Sequence, residues 1–241
     1  MNQLIYNDKS ELLDDLAGFI LKIGKEAIEE RGQFNFVLTG GNSPKALYES
    51  LATTYKAEID WDKVYFFFGD ERYVDPEDSN YNGLMAKNSI IAPLGVRADQ
   101  VFYVNTKLPH AEAAADYKQR IFAHFNGDQP VFDLILLGMG DEAHTASLFP
   151  HTKILSADEP DVQSVYVEKL TTYRVSFTAP LINLARHVAF LVFGSSKAEA
   201  VKEVIEPSSK DPMLYPAQLI EPVSGNVTWF LDKEAAAMLT D

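Results

Sequence analysis

The residue type best suited to proton transfer at neutral pH occurs five times in the chain, and one copy stands apart. His144 lies in "GMGDEAHTASLFP" (Gly138 to Pro150), where the apolar run "FDLILL" (132 to 137) opens into a glycine-rich turn. Asp141 and Glu142 precede it by three and two residues, so a carboxylate can hold the imidazole in one tautomer as a general base. His110 and His124 fall in a helical segment, His187 begins a strand and His151 lies past Pro150; these four read as structural or solvent-facing. Asp141, Glu142, His144 and His151 could be drawn as a metal site, but their spacing does not compel one, and no metal is expected. "DEAH" also occurs as a helicase box. The chain has no Gly-Lys-Ser/Thr phosphate loop, so that match is set aside.

Three further loops carry charge where a ligand could meet it. In "GDERYVDPEDSNYNG" (69 to 83), Asp70, Glu71 and Arg72 mix both signs, and the planar fork of Arg72 suits a phosphate or a developing oxyanion. In "TGGNSPKALYE" (39 to 49), Gly40 and Gly41 let backbone amides approach a ligand, Asn42 or Ser43 can cap a helix, and Pro44 suits its first position. Free N–H groups at such a helix start attract anions, although the same pattern also serves as an ordinary capped turn. Arg174 in "RVSFTAP" and Lys197 in "GSSKAEA" are cations beside core segments. Each could be a surface charge; together with Arg72 and the amides of 40 to 43 they make a clamp for one phosphate.

These loops need a rigid mount, and the chain supplies one. Four short apolar runs, 34 to 38, 64 to 68, 132 to 137 and 187 to 193, have the unbroken hydrophobicity of strands covered on both faces. Helical segments alternate with them, beginning with an amphipathic helix that Gly32 stops. The predicted fold is α/β: a three-layer, Rossmann-like, mostly parallel sheet with helices on both faces, in one domain over 1 to 241. Residues 207 to 226 read as an irregular loop, and "VTWFLDKEAAAMLTD" as a last strand and a terminal helix. All four runs end at Thr39-Gly40, Gly69, Gly138 or Gly194, and ligands of open parallel sheets sit beyond the carboxyl ends of the strands.

The bulk numbers exclude several classes. The chain has 241 residues, 46% hydrophobic and 23% charged, with a net charge of −14 and a pI of about 4.7. No basic stripe offsets that charge, so nucleic acid is not an expected partner. There is no cysteine, hence no disulfide and no thiolate chemistry. No secretory signal and no apolar stretch of membrane-spanning length is read, so the expected address is the cytoplasm, without a membrane partner.

Taken in order, "LTGGNSPKALYE", "WDKVYFFFGDERYVDPEDSNYN", "FDLILLGMGDEAHTASLFP", "RVSFTAPLINLARHVAFLVFGSSKA" and "VTWFLDKEAAAML" resemble the 6-phosphogluconolactonase family of the glucosamine/galactosamine-6-phosphate isomerase-like superfamily. The resemblance implies a cofactor-free hydrolase that opens 6-phosphoglucono-δ-lactone to 6-phosphogluconate in the oxidative pentose phosphate route, acting as a monomer or small homo-oligomer. It puts His144 on the family's general base and Arg72 on its active-site arginine, with Asp70 and Glu142 as catalytic neighbours. Thr39, Gly40, Gly41, Asn42, Ser43, Arg174 and Lys197 fall on substrate-phosphate positions. The family usually has Asp-Gly where this chain has Glu142-Ala143. If that glycine takes a positive φ, Ala143 must strain or re-shape the turn. Asn42-Ser43 stands where Ser-Thr is common. A related sugar-phosphate deaminase or isomerase, and a non-catalytic sugar-phosphate binding protein, are the alternative readings.

Overall fold

The computed structural model describes residues 1–240. The first half of the chain forms β1 (Asn2–Tyr6), α1 (Lys9–Arg31), β2 (Phe34–Leu38), α2 (Lys45–Thr53), β3 (Val64–Phe68), β4 (Asp70–Arg72), α3 (Asn82–Ala86), α4 (Ala92–Leu94) and α5 (His110–His124). The second half forms β5 (Leu134–Leu137), β6 (Val162–Val167), β7 (Thr172–Phe177), α6 (Ala179–Ile182), β8 (Val188–Val192), α7 (Ala198–Ile205) and β9 (Val227–Asp232).

Six strands make one parallel sheet in the order β1-β9-β8-β5-β2-β3. β2, β3, β5 and β8 are buried on both faces, which is why their sequences are continuously apolar. Phe34, Phe36, Leu38, Phe66, Phe68, Leu134 and Leu136 face α1 and α2. Val37, Phe67, Ile135, Leu137, Phe190 and Trp229 face α5, α6 and α7. α1 starts where Asp8 Oδ1 accepts from the Ser10 and Glu11 amides, and stops at Gly32, whose φ of 78° a side chain would resist. The chain runs from β2 outward to β3 and then returns to the other side of β2 as β5, so the sheet's reversal point lies between β2 and β5. Among the described residues no helix is long and apolar enough to cross a membrane.

A second sheet, antiparallel and ordered β4-β7-β6, rises from the end of β3. Only Gly69 separates β3 from β4, and its carbonyl accepts from Phe177 N at 2.9 Å, which docks β7 onto the first sheet. The sequence reading does not contain this sheet, nor β1, whose side chains are largely exposed. Two local expectations are corrected. After Asp232 the chain makes a series of turns rather than a terminal helix. α2 begins at Lys45 with Pro44 in the capping position, and neither Asn42 nor Ser43 caps it through a side chain. The segment 207 to 226 is irregular apart from the 3₁₀ turn Pro216–Leu219, and Ala217 N reaches Ala143 O at 2.9 Å.

Candidate active site

The carboxyl ends of β2 and β5 meet at the reversal point, and a cleft of about 260 Å³ opens there. Two buried tyrosines keep the strand ends in place. The Tyr48 hydroxyl accepts from Thr39 N and donates to Thr39 O, both at 2.9 Å. The Tyr117 hydroxyl does the same for Phe68, at 2.7 and 3.0 Å. Each brace satisfies backbone groups that the ladder leaves open just before a ligand-facing turn.

The turn after β5 delivers His144. Thr145 Oγ1 donates to Gly138 O at 2.8 Å, Gly140 N to His144 O at 2.9 Å and Ala143 N to Gly140 O at 3.1 Å. Gly140 lies so close to the imidazole that a Cβ there would be 2.1 Å from Nδ1, so any side chain at this position would displace the ring. Ala143 has a φ of 56°, the left-handed conformation that its replacement of glycine made an issue. The imidazole stacks on Phe149 with centroids 4.0 Å apart. Nδ1 is buried without a hydrogen-bond partner; Glu142 Oε1 stands 3.5 Å away, and Glu142 Oε2 is paired with Lys169. Burial pushes His144 down to about 4, opposed by Glu142 and Asp70 and assisted by Arg174 and Lys197. The ring is therefore neutral at pH 7, as a base must be.

The short second sheet delivers the arginines. Arg72 and Arg174 are directly opposed across β4 and β7. Like charges in that relation repel, a repulsion that an anion between them would offset. Each keeps a buried Nε without a partner. Arg72 Nη1 donates to Asn80 O at 3.0 Å, and Arg174 lies with Nη1 3.7 Å from Asp70 Oδ2 and its guanidinium 5.6 Å from the Phe149 centroid. Asp70 Oδ2 also accepts from Ser147 Oγ at 2.6 Å. Lys197 reaches the cleft from the turn that precedes α7.

Of the residues singled out in the sequence, Thr39, Gly40, Ser43, Asp70, Arg72, His144, Arg174 and Lys197 line this one cleft. Gly41 and Asn42 do not; Asn42 is exposed and Gly41 spends its φ of 95° on the turn. Glu142 stands behind His144 rather than in the wall. His124 sits among Tyr65, Phe67 and Phe102, and His110 stacks on Tyr173, both away from the cleft. Among the described residues no three His, Asp or Glu side chains are grouped to hold a metal ion.

Three supporting roles are not legible in the sequence, although Glu71 is there as part of the charged triplet. Glu71 is fully buried and accepts from the backbone amides of Arg72, Asn82 and Gly83 at 2.7 to 2.8 Å, pinning the loop beside Arg72. Asn82 Nδ2 donates to Asp70 O at 3.0 Å, and its Oδ1 fills the space beside Gly40, where a Cβ would be 1.9 Å away. Phe149 is the aromatic floor under both His144 and Arg174. The "DERY…SNYNG" segment holds the first two, but nothing in its spacing distinguishes a buried glutamate from an exposed one.

The model of the glucosamine-6-phosphate isomerases/6-phosphogluconolactonase family matches residues 7–229. A 6-phosphogluconolactonase of Nostoc sp. is 38% identical over 97% of this chain and 96% of its own length; one of Synechocystis sp. is 40% identical over 89% and 88%. Among solved structures, the 6-phosphogluconolactonase of Trypanosoma cruzi superposes with a TM-score of 0.90 at 26% identity, over 100% of this chain and 97% of that one. With the match running from β2 through β8 and over every loop of the cleft, the chain belongs to the glucosamine-6-phosphate isomerase/6-phosphogluconolactonase family.

Proposed function

We propose that this protein hydrolyses 6-phosphoglucono-1,5-lactone to 6-phosphogluconate, with His144 as general base and Arg72 at the oxyanion. The observation that carries the reading is a neutral, partly buried imidazole sharing one cleft with three cations, Arg72, Arg174 and Lys197. A cationic cleft in a chain of net charge −14 is specific placement, and it suits an anionic substrate.

The chemistry follows from the arrangement. With Nδ1 turned to Glu142, Nε2 is the nitrogen left to accept a proton from water. The resulting hydroxide adds to the lactone carbonyl carbon, and Arg72 stabilises the tetrahedral oxyanion. The bond from that carbon to the ring oxygen then breaks, and the imidazolium returns its proton to the departing oxygen. The new carboxylic acid releases its own proton to solvent. Arg174 and Lys197 hold the phosphate, so binding energy from the unreactive end orients the reactive one. Substrate phosphate would also offset the two cations that help depress His144, raising its basicity as the complex forms.

The test is the initial rate of lactone hydrolysis, corrected for spontaneous opening, in wild type and His144→Ala. Positioned base catalysis is worth roughly 10²–10⁴-fold, so kcat should fall by that factor with the fold intact. A fall below about threefold would remove His144 from the mechanism. Ammonia release from glucosamine 6-phosphate would instead indicate the isomerase branch of the family.

A further inference from the structure

Lys169 stands outside the cleft, on the turn that joins β6 to β7, with its side chain 63% exposed. An ion pair that open contributes little to stability, so its partner matters more than its strength. That partner is Glu142 Oε2, while the other oxygen of the same carboxylate is the atom 3.5 Å from His144 Nδ1. The hairpin is built to hold this position. Glu168–Leu170 make one 3₁₀ turn, Thr171 closes it with a φ of 52°, and Thr171 N donates to Glu168 O at 3.0 Å. β7 then carries Arg174 into the cleft, so one hairpin reaches both the base's partner and the cationic wall.

We propose that Lys169 is a positioning residue for the base: it holds Glu142 by one oxygen and thereby sets how the other stands toward His144 Nδ1. The inference rests on the lactone-hydrolysis reading of the cleft. A glutamate has one more rotatable bond than the aspartate usual in the family, and a second anchor on its carboxylate removes that freedom. The ammonium also offsets part of the negative charge that Glu142 presents to the imidazole. The other charged groups facing His144 are Asp70 on β4, Arg174 on β7 and Lys197 ahead of α7, with Arg72 in the same cleft wall. Lys169 reaches the ring only through Glu142.

The experiment is a proton NMR titration of the His144 ring in the free protein, with lactone kinetics across pH on the same samples. Wild type is compared with Lys169→Met, Lys169→Arg, Glu142→Gln and the Glu142→Gln/Lys169→Met double variant. Lys169→Met should raise the His144 midpoint, because Glu142 loses its counter-ion, and Lys169→Arg should leave it in place. In the Glu142→Gln background the Met substitution should do nothing. In kinetics, the acid limb of kcat/KM should move up in the same sense, with kcat reduced roughly three- to tenfold, a small part of what a positioned base supplies, and KM unchanged. An unshifted midpoint in Lys169→Met, or the same shift with Glu142 already replaced, overturns the proposal. If the wild type fails to open the lactone, the functional reading falls, while the titration still decides the role of Lys169.

Discussion

Two glutamates stand behind the lining of the cleft, one beside Arg72 and one beside His144, and they are held in opposite ways. Glu71 is fully buried, and its three hydrogen bonds all come from backbone amides, two of them eleven and twelve residues along the chain. Glu142 is partly exposed and held by side chains alone: a solvated lysine on one oxygen, an imidazole 3.5 Å from the other. The wall that carries Arg72 is thus fixed by main-chain bonds in a dry site, where geometry cannot drift without breaking them. The turn that carries His144 has main-chain bonds of its own, but the carboxylate behind its ring is anchored only by side chains, one of them solvent-exposed, and is the more adjustable of the two. Under the proposed mechanism the anion would meet the fixed wall and the proton-cycling group the adjustable partner.

The largest effect expected from breaking this contrast is at Glu71. Glu71→Ala leaves the amides of Arg72, Asn82 and Gly83 without an acceptor in a buried site, at about 1–3 kcal/mol for each unpaired donor. Urea unfolding should therefore show a loss of several kcal/mol, and a loss below about 1 kcal/mol would mean that water takes over and the wall is not fixed by this residue. The effect should depend on pH. Burial pushes the Glu71 carboxyl from 4.5 up to about 8, against the pull of its three donors. Because the folded value lies above the unfolded one, the folded chain keeps a proton that the unfolded chain releases. That contribution is complete below 4.5 and is lost as pH rises through about 8, so the gap between wild type and variant should narrow across this window.

Arg174→Ala should act next, and on binding rather than on the fold. A charged hydrogen bond is worth about 1.5–3 kcal/mol, so KM for the lactone should rise roughly 10–100-fold with kcat changed much less. Stability should hold, since the substitution also removes the repulsion from Arg72 directly across the strand pair. An unchanged KM would take Arg174 out of the phosphate clamp.

The same contrast explains what could be read from the sequence. Val64–Phe68 and Leu134–Leu137 announce themselves because strands buried on both faces must be apolar throughout, and the loops at their ends follow from the sheet. β4 is three residues of Asp-Glu-Arg, a composition that reads as a solvated loop, and only its pairing with β7 makes it a strand. Thus Arg72 and Arg174 were legible as cations near a ligand, but not as cross-strand partners. The terminal "DKEAAAML" has helical composition, yet the Asp232 carboxylate binds Gly194 N and Ala235 N and turns the chain instead. Lys169 left no mark, because a lysine in a polar hairpin turn looks the same whether or not it meets a glutamate.

The smallest effect is expected at Ala143, where two terms nearly cancel. Holding a non-glycine residue at a φ of 56° costs about 1–2 kcal/mol, which Ala143→Gly would recover. Against that, the methyl group is fully buried and its removal forfeits about 0.8 kcal/mol, while a glycine adds roughly 0.4–1 kcal/mol of unfolded-chain entropy. The net change should lie within about 1 kcal/mol of zero, with kcat retained, because the turn is still held by Gly140 N on His144 O, Ala217 N on Ala143 O and the Thr145 hydroxyl on Gly138 O. A loss above about 2 kcal/mol by thermal unfolding would show that the Ala143 methyl, rather than those hydrogen bonds, sets the turn. A fall in kcat at unchanged stability would show instead that the strain itself aims the imidazole, and the turn that carries it would prove stiffer than the side chains behind it suggest.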